Sequence, residues 1–352
     1  MKKLAIVCGT LHPGGAERVI SILADKLIEK YNVEIVLYYD KPIWYNISKK
    51  VKITVIEKEC RHKNMLQRML WLRRYLKNKD VILSFLAPFN VFTICSMFGL
   101  KVPVIVADRN DPRFVPQNKY IRKLRDIMYN FADGVVVQNE NNKRYFSKYI
   151  QKKSSIIFNP VDAESYKGIA LTTEKQRKIV CVGRLIKQKN NSMMLSAFAN
   201  IAEEFKDYNL VFYGDGNMRE KLLKQAEDLQ IAERVVFAGN VKNVIENIKD
   251  ASLYVMTSDY EGMPNALLEA MCAGLSVIST KVSGAVDVIE NHRNGALVEI
   301  GDVQGLAEEI KHFLKSKDLA EKCAKNAVKL ADELEKKKII RQWVDFIEQV
   351  KQ

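Results

Sequence analysis

The sequence predicts an α/β protein built from two doubly wound parallel sheets, and three observations predict it. Short runs rich in Val and Ile recur along most of the 352 residues, with helical patterns between them. Those runs are apolar on both faces, as strands covered by helices on each side must be. The series breaks once, at Asn159-Pro160-Val161-Asp162 and the polar stretch 167–176, and then restarts. A chain of this length accommodates two cores more readily than one.

The elements follow in order. Strands are expected at residues 4–8, 33–39, 52–56, 81–85, 102–107, 134–137 and 155–158, with the clearest helices at 16–30 and 120–130. The N-terminal apolar run ends at Gly9 and leads into a Gly-Gly helix start, so it reads as a first strand rather than a signal peptide. The apolar stretch 81–107 is interrupted by Pro88, Asn90, Gly99, Lys101 and Pro103. Strand, helix 90–98 and strand explain it better than a membrane span. The second series has strands at 178–182, 210–213, 235–238, 253–257, 276–279 and 296–299, and a helical tail from Asp302 carries Trp343, Val344, Phe346 and Ile347. The implied domains are 1–160 and 161–335, with a last helix over 336–352.

Composition narrows the partners. Six scattered cysteines without a C-x-x-C pair fit free thiols in a reducing compartment, not a disulfide framework or zinc site. Fifty-six Lys and Arg against 42 Asp and Glu give a net charge of +14, which favours an anionic partner. Arg61, Lys63, Arg68, Arg73, Arg74, Lys77 and Lys79 lie in one stretch without an acid, interleaved with Met65, Leu66, Met69, Leu70, Trp71, Leu72, Tyr75 and Leu76. That pattern suits a helix on an anionic membrane surface. A core-facing helix with a solvated basic side has the same pattern. Further basic clusters follow at 113–125 and 143–153. No nucleic-acid module is present.

In open α/β sheets ligands bind beyond the carboxyl ends of the strands, so the loops there carry the chemistry. After the first strand comes Gly9-Thr10-Leu11-His12-Pro13-Gly14-Gly15-Ala16-Glu17-Arg18, where paired glycines allow backbone to approach a phosphate or sugar. His12 has no Cys or His at metal spacing and reads as a turn residue. After the strand ending at Val182, Arg184 and Lys189 can converge on a diphosphate, one as a fork and the other as a point charge. Gly214-Asp215-Gly216 is a turn. Glu261 and Glu269 bracket Gly262-Met263-Pro264-Asn265, a turn that opens a helix. Such a start suits an anion, and Glu269 one turn inside can accept from two ribose hydroxyls. Two acids near a helix start also occur for the dipole alone. There is no D-x-D pair, no G-x-x-x-x-G-K-[ST] loop and no G-x-S-x-G elbow.

With Gly14-Gly15-Ala16-Glu17-Arg18, Val182-Gly183-Arg184-Leu185, Lys189, Gly214-Asp215-Gly216, Glu261 eight residues before Glu269, Ser283-Gly284-Ala285 and Asn294-Gly295 in order, the chain resembles a family-four retaining glycosyltransferase. The resemblance implies the GT-B fold, two Rossmann-like domains facing a cleft. It implies that Gly15 lies against the donor diphosphate, that Arg184 and Lys189 hold it, that Glu261 meets the donor sugar with Gly262, Met263, Pro264 and Asn265 around it, and that Glu269 holds the ribose. Relatives often carry His just after the strand that here ends Ala107-Asp108, where this chain has Arg109. Asp108 and Asp111 are further carboxylates there, of the kind that caps helices.

The expected activity is transfer of a hexose or N-acetylhexosamine from a nucleotide diphosphate sugar, UDP-linked, to a lipid-linked oligosaccharide in capsule, O-antigen or glycoprotein-glycan assembly. It requires no cofactor and no metal, and works in the cytoplasm on the inner face of the cell membrane. The alternatives are a non-enzymatic scaffold that kept the fold, or an epimerase or phosphorylase of the same fold.

Overall fold

The computed structural model describes residues 1–12, 14–60, 64–161 and 165–351. Pro13 of the first loop, Arg61 and Lys63 of the basic stretch and Asp162 of the interrupting turn lie outside the described residues. The chain divides into two units, Met1–Pro160 with Lys337–Gln352, and Val161–Lys336.

The first unit holds seven strands: β1 (Lys2–Cys8), β2 (Tyr31–Leu37), β3 (Lys52–Val55), β4 (Val81–Phe85), β5 (Val104–Ala107), β6 (Gly134–Val137) and β7 (Ser154–Ile156). Their order is β3-β2-β1-β4-β5-β6-β7, and every pairing is parallel. Alternation along β1 sends Leu4, Ile6 and Cys8 into one core, and Ala5 and Val7 into another on the opposite face. The first core is closed by the helix Gly15–Leu27 and by the C-terminal helix Lys336–Val350. Trp343 of that last helix is fully buried and stacks on Phe85 with ring centroids 5.7 Å apart. β5 starts at Val104 rather than at 102 because Pro103 has no N–H to give; its carbonyl still accepts from the Ile82 amide at 2.9 Å.

The basic stretch forms the helix Met65–Leu76, opened by a capping box between Asn64 and Gln67. Its buried residues are Leu72 and Leu76, while Met65, Leu66 and Leu70 are exposed. Not all its cations are available to a surface. Arg73 donates to the carbonyls of Ser96 (3.1 Å) and Phe98 (2.7 Å), and Arg68 lies over the Tyr38 ring. Lys79 is tied to Glu34. Arg74 and Lys77 stay exposed.

The second unit holds β8 (Gln176–Val182), β9 (Asn209–Tyr213), β10 (Val235–Gly239), β11 (Ala251–Met256), β12 (Val277–Thr280) and β13 (Ala296–Val298), ordered β10-β9-β8-β11-β12-β13 and all parallel. β8 begins at Gln176, inside the stretch expected to be loop, because the Gln176 amide finds the Asp250 carbonyl at 2.7 Å. The strand order reverses between β8 and β11. In such a sheet the switch point opens a crevice at the strands' carboxyl ends. No described helix is long and apolar enough to cross a membrane. The six cysteines are free, and all but Cys95 are buried.

Trp343 is the largest fully buried side chain of the first unit. Trp343→Ala is expected to cost about 3–5 kcal/mol, read as a lowered midpoint in chemical unfolding.

Candidate active site

The loops that follow β8 and β11 meet at the switch point. The Lys189 ammonium lies 2.7 Å from Oε1 of Glu261, and both side chains are mostly shielded. The same oxygen accepts from the Ser258 hydroxyl at 3.0 Å. Four further bonds join the two loops. The Thr257 hydroxyl donates to the Lys189 carbonyl (3.0 Å), the Asn190 amide to Asp259 (2.8 Å), the Gln188 amide to the Tyr260 carbonyl (2.8 Å), and the Asp259 N–H to the Gln188 carbonyl (2.9 Å). Asn190 adopts the left-handed conformation at φ 44°, and its side-chain oxygen caps the helix Asn191–Ile201. An Asn tolerates that backbone better than most residues do. Arg184 stands exposed on the first of these loops.

Past Glu261, the segment Gly262, Met263 and Pro264 is buried and leads into the helix Asn265–Ala273. Pro264 at its N-cap has no side-chain acceptor to offer the first turn. Glu269 is buried one turn inside. It shares surroundings with Glu261: burial first, then the charges of Cys181, Glu261 and Glu269, push the phenol of Tyr254 on β11 well above its ordinary value. Burial and the Glu269 charge also lift the Cys272 thiol to about 12, so that cysteine is inert as a nucleophile.

The glycines at this edge are required by close backbone approach. Gly214 sits at φ 133°, and a Cβ there would lie 2.1 Å from the Gly183 carbonyl oxygen. A Cβ on Gly284 would lie 2.3 Å from the Gly262 carbonyl oxygen. The turn at 214–216 and the short helix Ser283–Val286 thus press directly on the two loops that carry Lys189 and Glu261.

In the first unit Gly15 opens the helix Gly15–Leu27, and the preceding Gly14 both accepts from and donates to the Tyr45 hydroxyl at 2.8 and 3.0 Å. Beyond β5, Arg109 is buried, and among the described residues none of its three guanidinium nitrogens has a hydrogen-bond partner. The rings of Phe85 and Trp343 each lie 5.8 Å from its guanidinium carbon. Burial pulls Arg109 down to about 9, with Asp108 opposing. Neither Asp108 nor Asp111 is the N-cap of a described helix. Asp108 lies 3.6 Å from Arg125 and accepts from Tyr129, and Asp111 is paired with Arg113.

Comparison with known proteins decides the family. Residues 162–330 match the family described as Glycosyl transferases group 1, and residues 13–165 match Glycosyltransferase Family 4. The chain belongs to the family-four glycosyltransferases. Over its full length it is 29% identical to the Campylobacter jejuni GalNAc-alpha-(1->4)-GalNAc-alpha-(1->3)-diNAcBac-PP-undecaprenol alpha-1,4-N-acetyl-D-galactosaminyltransferase, covering 99% of that protein. A second Campylobacter jejuni enzyme, the N-acetylgalactosamine-N,N'-diacetylbacillosaminyl-diphospho-undecaprenol 4-alpha-N-acetylgalactosaminyltransferase, is 27% identical over 99% of this chain and 100% of its own length. Among solved structures, Anabaena HepE in complex with UDP and glucose superposes with a TM-score of 0.84 at 19% identity, covering 98% of this chain and 99% of that one. That likeness places the glycosyltransferase in the GT-B fold, with two Rossmann-like parallel-sheet domains.

Of the residues singled out in the sequence, the structure joins Lys189 to Glu261 and sets Gly262, Met263, Pro264, Asn265 and Glu269 directly after them. Gly15 lies in the other unit. The motifs give no role to Thr257, Asn190, Gln188 or Asp259, which hold the glycosyltransferase's two loops together, or to Ser258, which bonds Glu261 within its own loop. Their position just past strand ends was the available signal.

A charged guanidinium without a hydrogen-bonded partner costs stability. The folded value of about 9 lies below that of the unfolded chain, so the cost is present in full at neutral pH and eases only as pH rises through that value. Arg109→Met, which keeps the stacked length, is expected to raise the thermal midpoint by about 2–6 °C at neutral pH. Scanning calorimetry reads it, and a lowered midpoint would show that the ring contacts already offset the burial.

Proposed function

We propose that this glycosyltransferase moves a hexose or N-acetylhexosamine from a UDP-sugar to a hydroxyl of a lipid-linked glycan during cell-surface polysaccharide biosynthesis. The observation that carries the reading is the Lys189–Glu261 pair at the switch point, with Arg184 on the same loop and a helix start immediately after Glu261. The two Campylobacter jejuni relatives, whose names specify undecaprenol-linked acceptors, support the acceptor class. HepE, solved with UDP and glucose, supports the donor class.

In this reading the bond from the sugar's anomeric carbon to the diphosphate breaks, a bond to the acceptor oxygen forms on the same face with retained configuration, and the acceptor hydroxyl's proton passes to the departing diphosphate. Negative charge grows on the departing diphosphate. Arg184, Lys189 and the N–H groups at the start of the helix Asn265–Ala273 stabilise it, which makes a divalent ion unnecessary. Gly15, at the start of its helix, leaves the first unit's loop open to a phosphate. Glu261 lies beside the donor sugar and Glu269 accepts from the ribose hydroxyls. Arg109 offers its cation to a phosphate or sugar oxygen. The enzyme works in the cytoplasm at the inner face of the membrane, drawn there by its basic first unit.

Arg184→Ala and Lys189→Ala are each expected to lower turnover by about two orders of magnitude. Rates near the wild-type value in either variant would remove the diphosphate grip. Turnover unchanged by EDTA, and a product anomer matching the donor by NMR, are expected from the same assay. A panel of nucleotide sugars should raise the melting temperature most for a UDP-sugar; stabilisation by another base alone would overturn the donor assignment. Arg74→Ala with Lys77→Ala should weaken sedimentation with anionic vesicles, without the loss of fold that removing the bonded Arg73 would bring.

A further inference from the structure

The helix Lys119–Met128 faces the wrong way for a core helix. Its apolar residues recur at helical spacing as Tyr120, Ile121, Leu124 and Ile127, and Phe131 follows in the next turn. All five are exposed, from 46% for Ile121 to 73% for Tyr120. Phe98, 61% exposed at the end of the helix Ala87–Met97, packs edge-on against Phe131 with ring centroids 5.5 Å apart. The residue that the helix buries instead is Arg125. It donates to the carbonyls of Val115 (2.5 Å) and Pro112 (2.9 Å) and to Asp126 (2.7 Å), and lies 3.6 Å from Asp108. The rings of Tyr129, Tyr145 and Phe146 surround it at 5.3–5.9 Å. Burial works against its charge, but Asp108, Tyr129 and Asp126 together hold it above its ordinary value. A buried, fully bonded cation fixes which side of this helix points inward, and the apolar side is left in water.

We propose that this apolar stripe, with Phe98 and Phe131, is the surface by which the protein inserts into an anionic lipid bilayer. The inference rests on the membrane reading above and moves the insertion point from the helix Met65–Leu76 to the helix Lys119–Met128. Charge selects the occupant. Lys119 and Lys123 are exposed on the flank of the stripe, and the one acid on the helix, Asp126, is bonded to Arg125 and to the Tyr145 hydroxyl. Basic residues flanking exposed aromatic and aliphatic side chains match a headgroup layer above acyl chains. A second copy of this chain fits poorly: a two-fold contact would bring like-charged flanks together on proteins that each carry +14.

The test uses the full chain with vesicles of phosphatidylglycerol mixed with phosphatidylcholine, and with vesicles of phosphatidylcholine alone. The wild type should sediment with the anionic vesicles and much less with the neutral ones. Ile121→Asp with Leu124→Asp, both at exposed positions, should reduce that binding about tenfold or more while leaving thermal unfolding unchanged. The Tyr120→Trp variant should shift its emission to the blue on adding anionic vesicles, which electrostatic attraction alone does not produce. The proposal is overturned if the double variant binds like wild type, if the Tyr120→Trp variant shows no shift, or if wild type binds no vesicle. In the last case, a dimer that the double variant converts to a monomer would assign the face to a second copy. Nucleotide-sugar stabilisation measured on the same proteins separates the two readings. Its absence with vesicle binding intact sinks the transfer assignment and leaves the docking face standing.

Discussion

The pairing of Lys189 with Glu261 is the interaction on which the second unit's strand-end crevice depends. A shielded carboxylate is costly unless it is paired and hydrogen-bonded, and Glu261 is both, through Lys189 and Ser258. The partners come from loops far apart in sequence, so the pair exists only when β8 and β11 are neighbours and both loops are in register. The bonds from Thr257, Asn190, Gln188 and Asp259 enforce that register. The pair also suits an anionic ligand. An ammonium has three donors and spends one on Glu261, so it can turn others toward a phosphate while Glu261 stays satisfied.

The glycines act on the same crevice through the backbone. Gly214 and Gly284 lie where chain meets chain closer than a side chain allows. Their removal would not delete a contact with a ligand; it would push apart the loops that present Lys189 and Glu261. Sequence motifs at strand ends therefore mix two kinds of residue, those that meet a ligand and those that let the first kind come together. Arg184, Lys189 and Glu269 have the chemistry of the first kind, and Gly214, Gly284 and Asn190 are of the second.

This division explains what could be read from the sequence. Alternating Val-rich runs and helical patterns sufficed for the two parallel sheets, because burial on both faces is a local compositional property. Strand ends moved by one or two residues, and hydrogen bonding overrode composition at Pro103 and Gln176. Position after a strand sufficed to place Arg184, Lys189 and Glu261 on the loops beyond β8 and β11. The ion pair between the last two, and the bonds that brace it, were not legible, because no local pattern records which loops the strand order makes adjacent. Periodicity likewise shows that a helix has an apolar face and says nothing of where that face points. The basic helix Met65–Leu76 drew notice by composition, yet its Arg73 is occupied in capping a neighbour.

Two buried arginines in the first unit show how far partners, rather than burial, decide a side chain's effect. Burial disfavours the charge of both. Arg125 has carboxylates, carbonyls and aromatic faces around it and sits above its ordinary value. Arg109 has two aromatic rings and, among the described residues, no acceptor, and falls to about 9. The first is an anchor whose bonds turn a helix over. The second is a standing cost located just beyond β5, at the sheet edge where open α/β folds receive ligands. Backbone placement alone makes these positions look alike, since both lie near Asp108. Their difference comes from which oxygens the surrounding elements supply: Arg125 is bonded into the fold, while Arg109 has no hydrogen bond among the described residues.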